Sequence, residues 1–184
     1  MKKFYLLTAV FLILFLSFNS FSAQIYAQEE NSVASSSSES ETNVKYELPY
    51  PGILPDNPLY FLRAIRDRII DILISDPLKK AEFYLLQADK RLNAGIYLLN
   101  KGKDSLALST VSKGENYFEQ AIDKLKEARA QGQDAGAIQG NLKSALKKHK
   151  QELENLIKKA DVDFKTGFEK EQKRFINFEE RLSN

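Results

Sequence analysis

Apolar residues along this chain fall into three regimes: one continuous run, one proline-punctuated stretch, and long segments in which they recur every three or four positions. The last regime predicts amphipathic helices. In the first, Asn57 reads as an N-cap with Pro58 at the first helical position, and the helix runs to about Ser75. Leu62, Ile65, Ile69 and Ile72 form its stripe, Arg63, Arg66, Asp67 and Asp71 its other face. Ile70, Leu73 and Ile74 widen the stripe, which predicts burial on two sides. Asp76-Pro77 repeats the start signal for a second helix to about Asn100, with the seam Leu78, Ala81, Leu85, Ala88, Leu92, Gly95, Leu99. A third spans about Asp104 to Gln131 with Ala107, Val111, Gly114, Phe118, Ala121, Leu125 and Ala128. Large residues alternate with Ala or Gly in both seams, as interdigitating antiparallel helices require, and Gly102 and Gly132 read as stops.

A fourth helix begins after Asp134. Its seam is Leu142, Leu146, His149, Leu153, Leu156 and Ala160, and the same frame continues through Phe164, Phe168, Phe175, Phe178 and Leu182, interrupted by Glu171. Unbroken to Leu182 it would be about 72 Å long at the usual helical rise, about twice the second helix. The tail must overhang, fold back near Asp161-Val162-Asp163, or meet another copy. Its phenylalanines are costly to leave in water, so Phe168, Phe175 and Phe178 are candidate contacts with a partner protein or a second copy.

The continuous apolar run, Phe4 to about Phe18, follows Met1-Lys2-Lys3 and precedes small residues. This is the pattern of a secretory signal peptide over residues 1–27, with cleavage expected between Ala27 and Gln28. The alternative is an uncleaved membrane anchor, which would need about 20 apolar residues. Residues 28–46 read as a disordered linker: Ser35-Ser36-Ser37-Ser38 and the acids Glu29, Glu30, Glu39 and Glu41 leave too little apolar surface to offset ordering entropy. Residues 47–57 carry Pro49, Pro51 and Pro55 and predict extended backbone, packed along the helical domain at 58–184 in preference to a free docking strand.

Composition narrows the chemistry. Of 27 Lys and Arg residues, Lys2 and Lys3 lie in the segment expected to be removed, which leaves 25 bases against 25 acids. A neutral chain gives no reason to expect a nucleic-acid partner. There is no Cys or Trp, and the one Met is the initiator, so disulfides and the usual haem or copper ligand sets are unavailable. The single histidine, His149, falls on a helical seam. A four-helix di-iron site needs two E-x-x-H pairs, and position 146 is Leu. No metal, cofactor or catalytic residue is therefore assigned. Glu152, Glu154, Glu179 and Glu180 sit in lysine-rich helical surface and read as solvated faces, not a glycosidase pair. The same holds for Lys143, Lys147, Lys148, Lys150, Lys158 and Lys159, against contact with an anionic polymer or lipid.

The stretches Leu54-Pro55-Asp56-Asn57-Pro58-Leu59-Tyr60-Phe61-Leu62-Arg63, Asp76-Pro77-Leu78-Lys79-Lys80-Ala81-Glu82 and Ala88-Asp89-Lys90-Arg91-Leu92 resemble an uncharacterised bacterial family of exported helical proteins, a domain of unknown function. The similarity is closest over about residues 48–100, looser to about 160, and absent from the phenylalanine-bearing tail. It implies no activity. It does imply that Pro55, Pro58, Tyr60, Glu82 and Arg91 form a shared structural constellation, in which a Glu82–Arg91 pair and the Tyr60 hydroxyl pin the first helix and proline segment to the second.

The expected architecture is an all-α antiparallel bundle of about four helices with a long C-terminal helix. The expected role is that of a non-enzymatic exported module of the cell envelope or exterior, acting by contact. A helical chaperone that binds unfolded chains is the alternative, and an envelope hydrolase is less favoured. Membrane association is expected only if the N-terminal segment stays attached.

Overall fold

The computed structural model describes residues 46–183. Over this range the chain is all-α, with α1 (Tyr60–Leu73), α2 (Pro77–Asn100), α3 (Asp104–Ala130), α4 (Gly136–Lys159) and α5 (Val162–Ser183). The expected signal peptide, the cut between Ala27 and Gln28, and the linker as far as residue 45 lie outside the described residues. No described helix is long and apolar enough to cross a membrane.

The α2–α3 hairpin forms where the two regular seams meet. Asp76 caps α2 by accepting from the Lys79 amide at 3.0 Å. Gly102 ends it in the left-handed conformation, φ 69°, and its amide donates back to Leu99 at 2.8 Å. All seven α3 seam residues and six of the seven on α2 are buried, Leu78 being the half-buried one. The glycines set the spacing. A Cβ on Gly114 would lie 3.2 Å from the Ala88 carbonyl oxygen, and one on Gly95 would overlap a Val111 methyl.

The long C-terminal helix is two helices. At Ala160 the backbone is extended, ψ 152°. Asp161 then accepts from the Val162 amide at 2.7 Å, while its own N–H donates to Asp104 at the start of α3, 2.9 Å away. The chain turns there and α5 packs back on α4 and α3. Phe168, Phe175, Phe178 and Leu182 are each at most 1% exposed. Phe178 stacks on Phe118 with centroids 5.5 Å apart. Glu171, the interruption in this seam, is paired with Arg174 at 2.8 Å, which also reaches Glu119 of α3 at 2.9 Å. The expectation of a contact surface at Phe168, Phe175 and Phe178 is corrected accordingly: the fold-back satisfies these rings inside their own chain.

The first helix also departs from expectation. Its one buried residue is Asp67. The residues predicted to face the core, Leu62, Ile65, Ile69 and Ile72, are 53–68% exposed, with Phe61 at 56% and Leu73 at 74%. Polar side chains hold α1 down instead. Tyr84 donates to Asp71 at 2.7 Å, Lys80 lies 3.5 Å from the same carboxylate, and Arg63 donates to the carbonyls of Pro51 and, at 2.9 Å, Ile53. The stripe therefore points away from the core. The seams of α2, α3, α4 and α5 fill one another without it.

Candidate functional site

The expected structural constellation is present only in part. Glu82 and Arg91 do not meet. Nine residues apart on one helix, they project about 180° apart, and Glu82 is exposed. Arg91 instead lies over the Tyr117 ring of α3 at 4.3 Å and donates to Gln87 at 2.8 Å. Tyr60 sits at the start of α1 under the Arg63 guanidinium, 6.0 Å from it, and Pro58 is exposed. Pro55 is half-buried in the turn closed by the Asn57 amide on the Leu54 carbonyl, 3.0 Å. The proline segment does pack along the domain, but through other residues. Asn93 donates to the Pro49 carbonyl at 2.9 Å. Asp56 takes Lys101 at 3.1 Å and Lys103 at 2.9 Å, and these ammonium groups hold its carboxyl below the usual carboxylate range.

At the centre of the bundle is a buried ionic cluster that the sequence pattern did not assemble. His149 is fully buried. Its Nδ1 lies 3.0 Å from Glu115 of α3 and its Nε2 3.0 Å from Asp89 of α2. Tyr46, assigned above to the end of the linker, donates its hydroxyl to the other Asp89 oxygen at 2.7 Å. Phe118 covers the imidazole, with ring centroids 5.0 Å apart. Burial alone would lower the histidine pKa. The charge of Glu115 and the bonds to both carboxylates outweigh it, and the pKa is pushed up to about 9. Both ring nitrogens therefore donate, and the imidazolium ties three helices and the N-terminal strand of backbone together. Tyr46 is shifted upward as well, by burial and then by the Asp89 charge. A signal for the cluster does exist in the sequence. Asp89 and Glu115 each follow a small seam residue, Ala88 and Gly114, which puts them at the edge of a buried stripe.

Asp89 is 3% exposed and Glu115 and His149 0%, so these three charges are shut away from solvent, with the half-buried Tyr46 at the outer edge. Glu152 and Glu179 are taken by Lys148, at 2.7 Å, and Lys150. Among the described residues no group of His, Cys, Asp or Glu is arranged to hold a metal ion.

An accessible feature lies elsewhere. An open groove of about 470 Å³ runs between the proline segment and α1, lined by Tyr50, Ile53, Leu62, Arg63, Arg66 and Lys90 among others. It is continuous with the outward face of α1. Placed at the helical repeat, Phe61, Leu62, Ile65, Ile69, Ile72 and Leu73 occupy an arc of about 120°. Asp67 and Asp71 lie on the opposite side.

The fold thus defines an all-α bundle of four long helices carrying a short, outward-facing amphipathic helix. By sequence the chain belongs to a family described as a domain of unknown function (DUF5667), whose model matches residues 52–174. The match takes in α1 and extends beyond residue 160 through Phe168, Glu171 and Arg174, further than the sequence resemblance alone reached. Neither a curated protein nor a solved structure matches the chain.

Proposed function

We propose that this chain is a non-enzymatic exported helical module that works by contact, and that the outward face of α1 is its contact surface. The observation that carries this reading is the inversion of α1: six large apolar side chains, each more than half exposed, on a helix whose buried residue is an aspartate. Exposed apolar patches of this kind on a folded domain mark interaction sites. Fully burying one Leu, Ile or Phe contributes about 1.5–3 kcal/mol, so covering even half of each residual surface offers several kcal/mol to a complex. The leader pattern of residues 1–27 supports export.

The reading is tested on a chain beginning at Gln28 in which Ile65→Glu and Ile69→Glu are combined. Binding of an apolar dye should fall at least about twofold, with a melting temperature within roughly 3 °C of the parent, as for surface positions away from the core. A melting temperature lower by about 8 °C or more would assign the stripe to the fold and remove the contact surface. The chaperone alternative draws on the same face, through Phe61, and not on Phe175 and Phe178. It requires suppression of aggregation of an unfolded client that the double variant abolishes.

A further inference from the structure

Three observations together select what the α1 face contacts. The first is the charge around the stripe. At the helical repeat, Arg68 stands about 20° to one side of the apolar arc and Arg66 about 20° to the other. Their side chains are 76% and 60% exposed. The acids of α1 lie on the other side: Asp67 is buried, and Asp71 accepts from Tyr84 and pairs with Lys80 at 3.5 Å, while its second oxygen is 3.6 Å from the largely exposed Arg68. What α1 shows to solvent is therefore an apolar strip with a cation on each margin.

The second is the groove at its edge. Arg63 and Arg66 share the single carboxylate of Asp67, at 3.7 and 2.7 Å. Lys90 has no hydrogen-bond or ion-pair partner among the described residues, and its pKa is lowered by burial and then by the two arginines. Three cations thus stand against one acid beside the apolar walls of Tyr50, Ile53 and Leu62. An anion with an apolar body fits this combination.

The third is size. A helix of 14 residues is about 21 Å long and offers a strip of a few hundred Å², short of the roughly 800 Å² per partner of a standard protein interface. Self-pairing meets a second obstacle, because two α1 faces brought together set arginines beside arginines with no exposed α1 acid between them. A bilayer imposes no such minimum area and supplies the missing negative charge.

We propose, resting on the reading of α1 as a contact face, that this face docks on an anionic lipid bilayer, with α1 lying in the plane of the interface. The stripe enters the boundary between headgroups and acyl chains, and lipid phosphates gather at Arg66, Arg68 and Lys90. None of the described helices crosses the bilayer. The domain rides on the surface through one short helix, so attachment is weak and reversible and depends on salt and on lipid charge.

The test is co-sedimentation of the chain beginning at Gln28 with vesicles of phosphatidylcholine alone and with about one third phosphatidylglycerol, at about 0.05 M and 0.5 M salt. Every buried one of the described residues lies at or beyond Pro51, and Tyr46 is retained, so this chain keeps the described core. Binding to the anionic vesicles at low salt should exceed binding to neutral vesicles at least about tenfold and fall by a similar factor in high salt. Combining Ile65→Glu with Ile69→Glu should remove it. Combining Arg68→Gln with Lys90→Gln should weaken it several-fold while leaving the dye response of the stripe intact. Equal binding to both vesicle types, or none to either, overturns the lipid assignment. If vesicles fail but light scattering finds a dimer that the two glutamates dissociate, the occupant is a second copy. The lipid inference then falls while the contact face stands. If the glutamates change neither vesicle binding, dye response nor mass, the contact face falls as well.

Discussion

The side chain on which most of the bundle converges is His149. It bonds Asp89 on α2 and Glu115 on α3 from α4, and Asp89 in turn holds Tyr46. Breaking a buried ionic arrangement by removing one member costs about 3–5 kcal/mol, because the charges left behind remain out of water. His149→Ala, which leaves two buried carboxylates facing a void, should lose that much in a denaturant titration. The linkage with pH has a definite sign. The folded pKa, about 9, lies above the ordinary value, so the stabilisation is complete below about pH 6.5 and is lost as pH rises through 9. The melting temperature should therefore fall between pH 6.5 and 10, and less steeply in His149→Gln. A flat profile in the parent would mean a neutral imidazole and would sink the account. The cluster was half legible: a histidine on a seam could be seen, but which acids face it depends on the rotation and offset of three helices.

At the scale of the element, the α2–α3 hairpin and α1 show opposite relations between pattern and placement. In the hairpin the small seam residues let two backbones approach, and the fit is tight at Gly114. Gly114→Ala should be destabilising by about 1–2 kcal/mol despite the better helix propensity of alanine, because the rigid Ala88 carbonyl blocks the new methyl. Gly140→Ala on α4, where nothing lies within 4 Å of the added carbon, should stabilise by about 0.5–1 kcal/mol. Urea titrations of the two variants should move in opposite directions, and movement in the same direction would refute the close-approach argument. For α1 the sequence carries the period but not the side. Amphipathicity says that one face is apolar. It does not say that the apolar face meets this chain's own core, and the polar anchors at Asp71 and Arg63 that decide the matter reach outside the helix, to Tyr84 and Lys80 of α2 and to the carbonyls of Pro51 and Ile53.

For the whole molecule the decisive event is the turn at Asp161. Without it the phenylalanines of α5 would lie in water, and with it they complete the core around Phe118. A chain ending at Ala160 loses Phe168, Phe175, Phe178 and Leu182 from that core. At about 1.5–3 kcal/mol each, this is comparable to the entire stability of a typical domain, about 5–15 kcal/mol. Such a truncation should lack a cooperative thermal transition and bind apolar dye strongly. A sharp melt and an unchanged hydrodynamic radius would show α5 to be dispensable.

The sequence by itself determined the helical segments as far as Lys159, the Asp76 cap, the Gly102 and Gly132 stops and the seams of α2, α3 and α4, because these depend on neighbours within a turn or two. The expected Asn57 cap does not form, since α1 starts at Tyr60 behind Leu59 and the Asn57 side chain only accepts from the Leu59 amide, 2.8 Å away. The sequence also placed His149 on a helical seam and, with no Cys and one Met, left disulfides and the usual haem or copper ligand sets unavailable. Tertiary structure alone decided three things. The frame from Ala135 to Leu182 breaks at Ala160, since a bond from Asp161 to Asp104 and a hydrophobic return path outweigh local continuity. His149 lies between Asp89 and Glu115, which approach only when three helices dock. The stripe of α1 faces outward, because helical periodicity fixes the angle between residues but not the direction in which the helix is turned. That direction is set by Tyr84, Lys80 and the carbonyls of the proline segment.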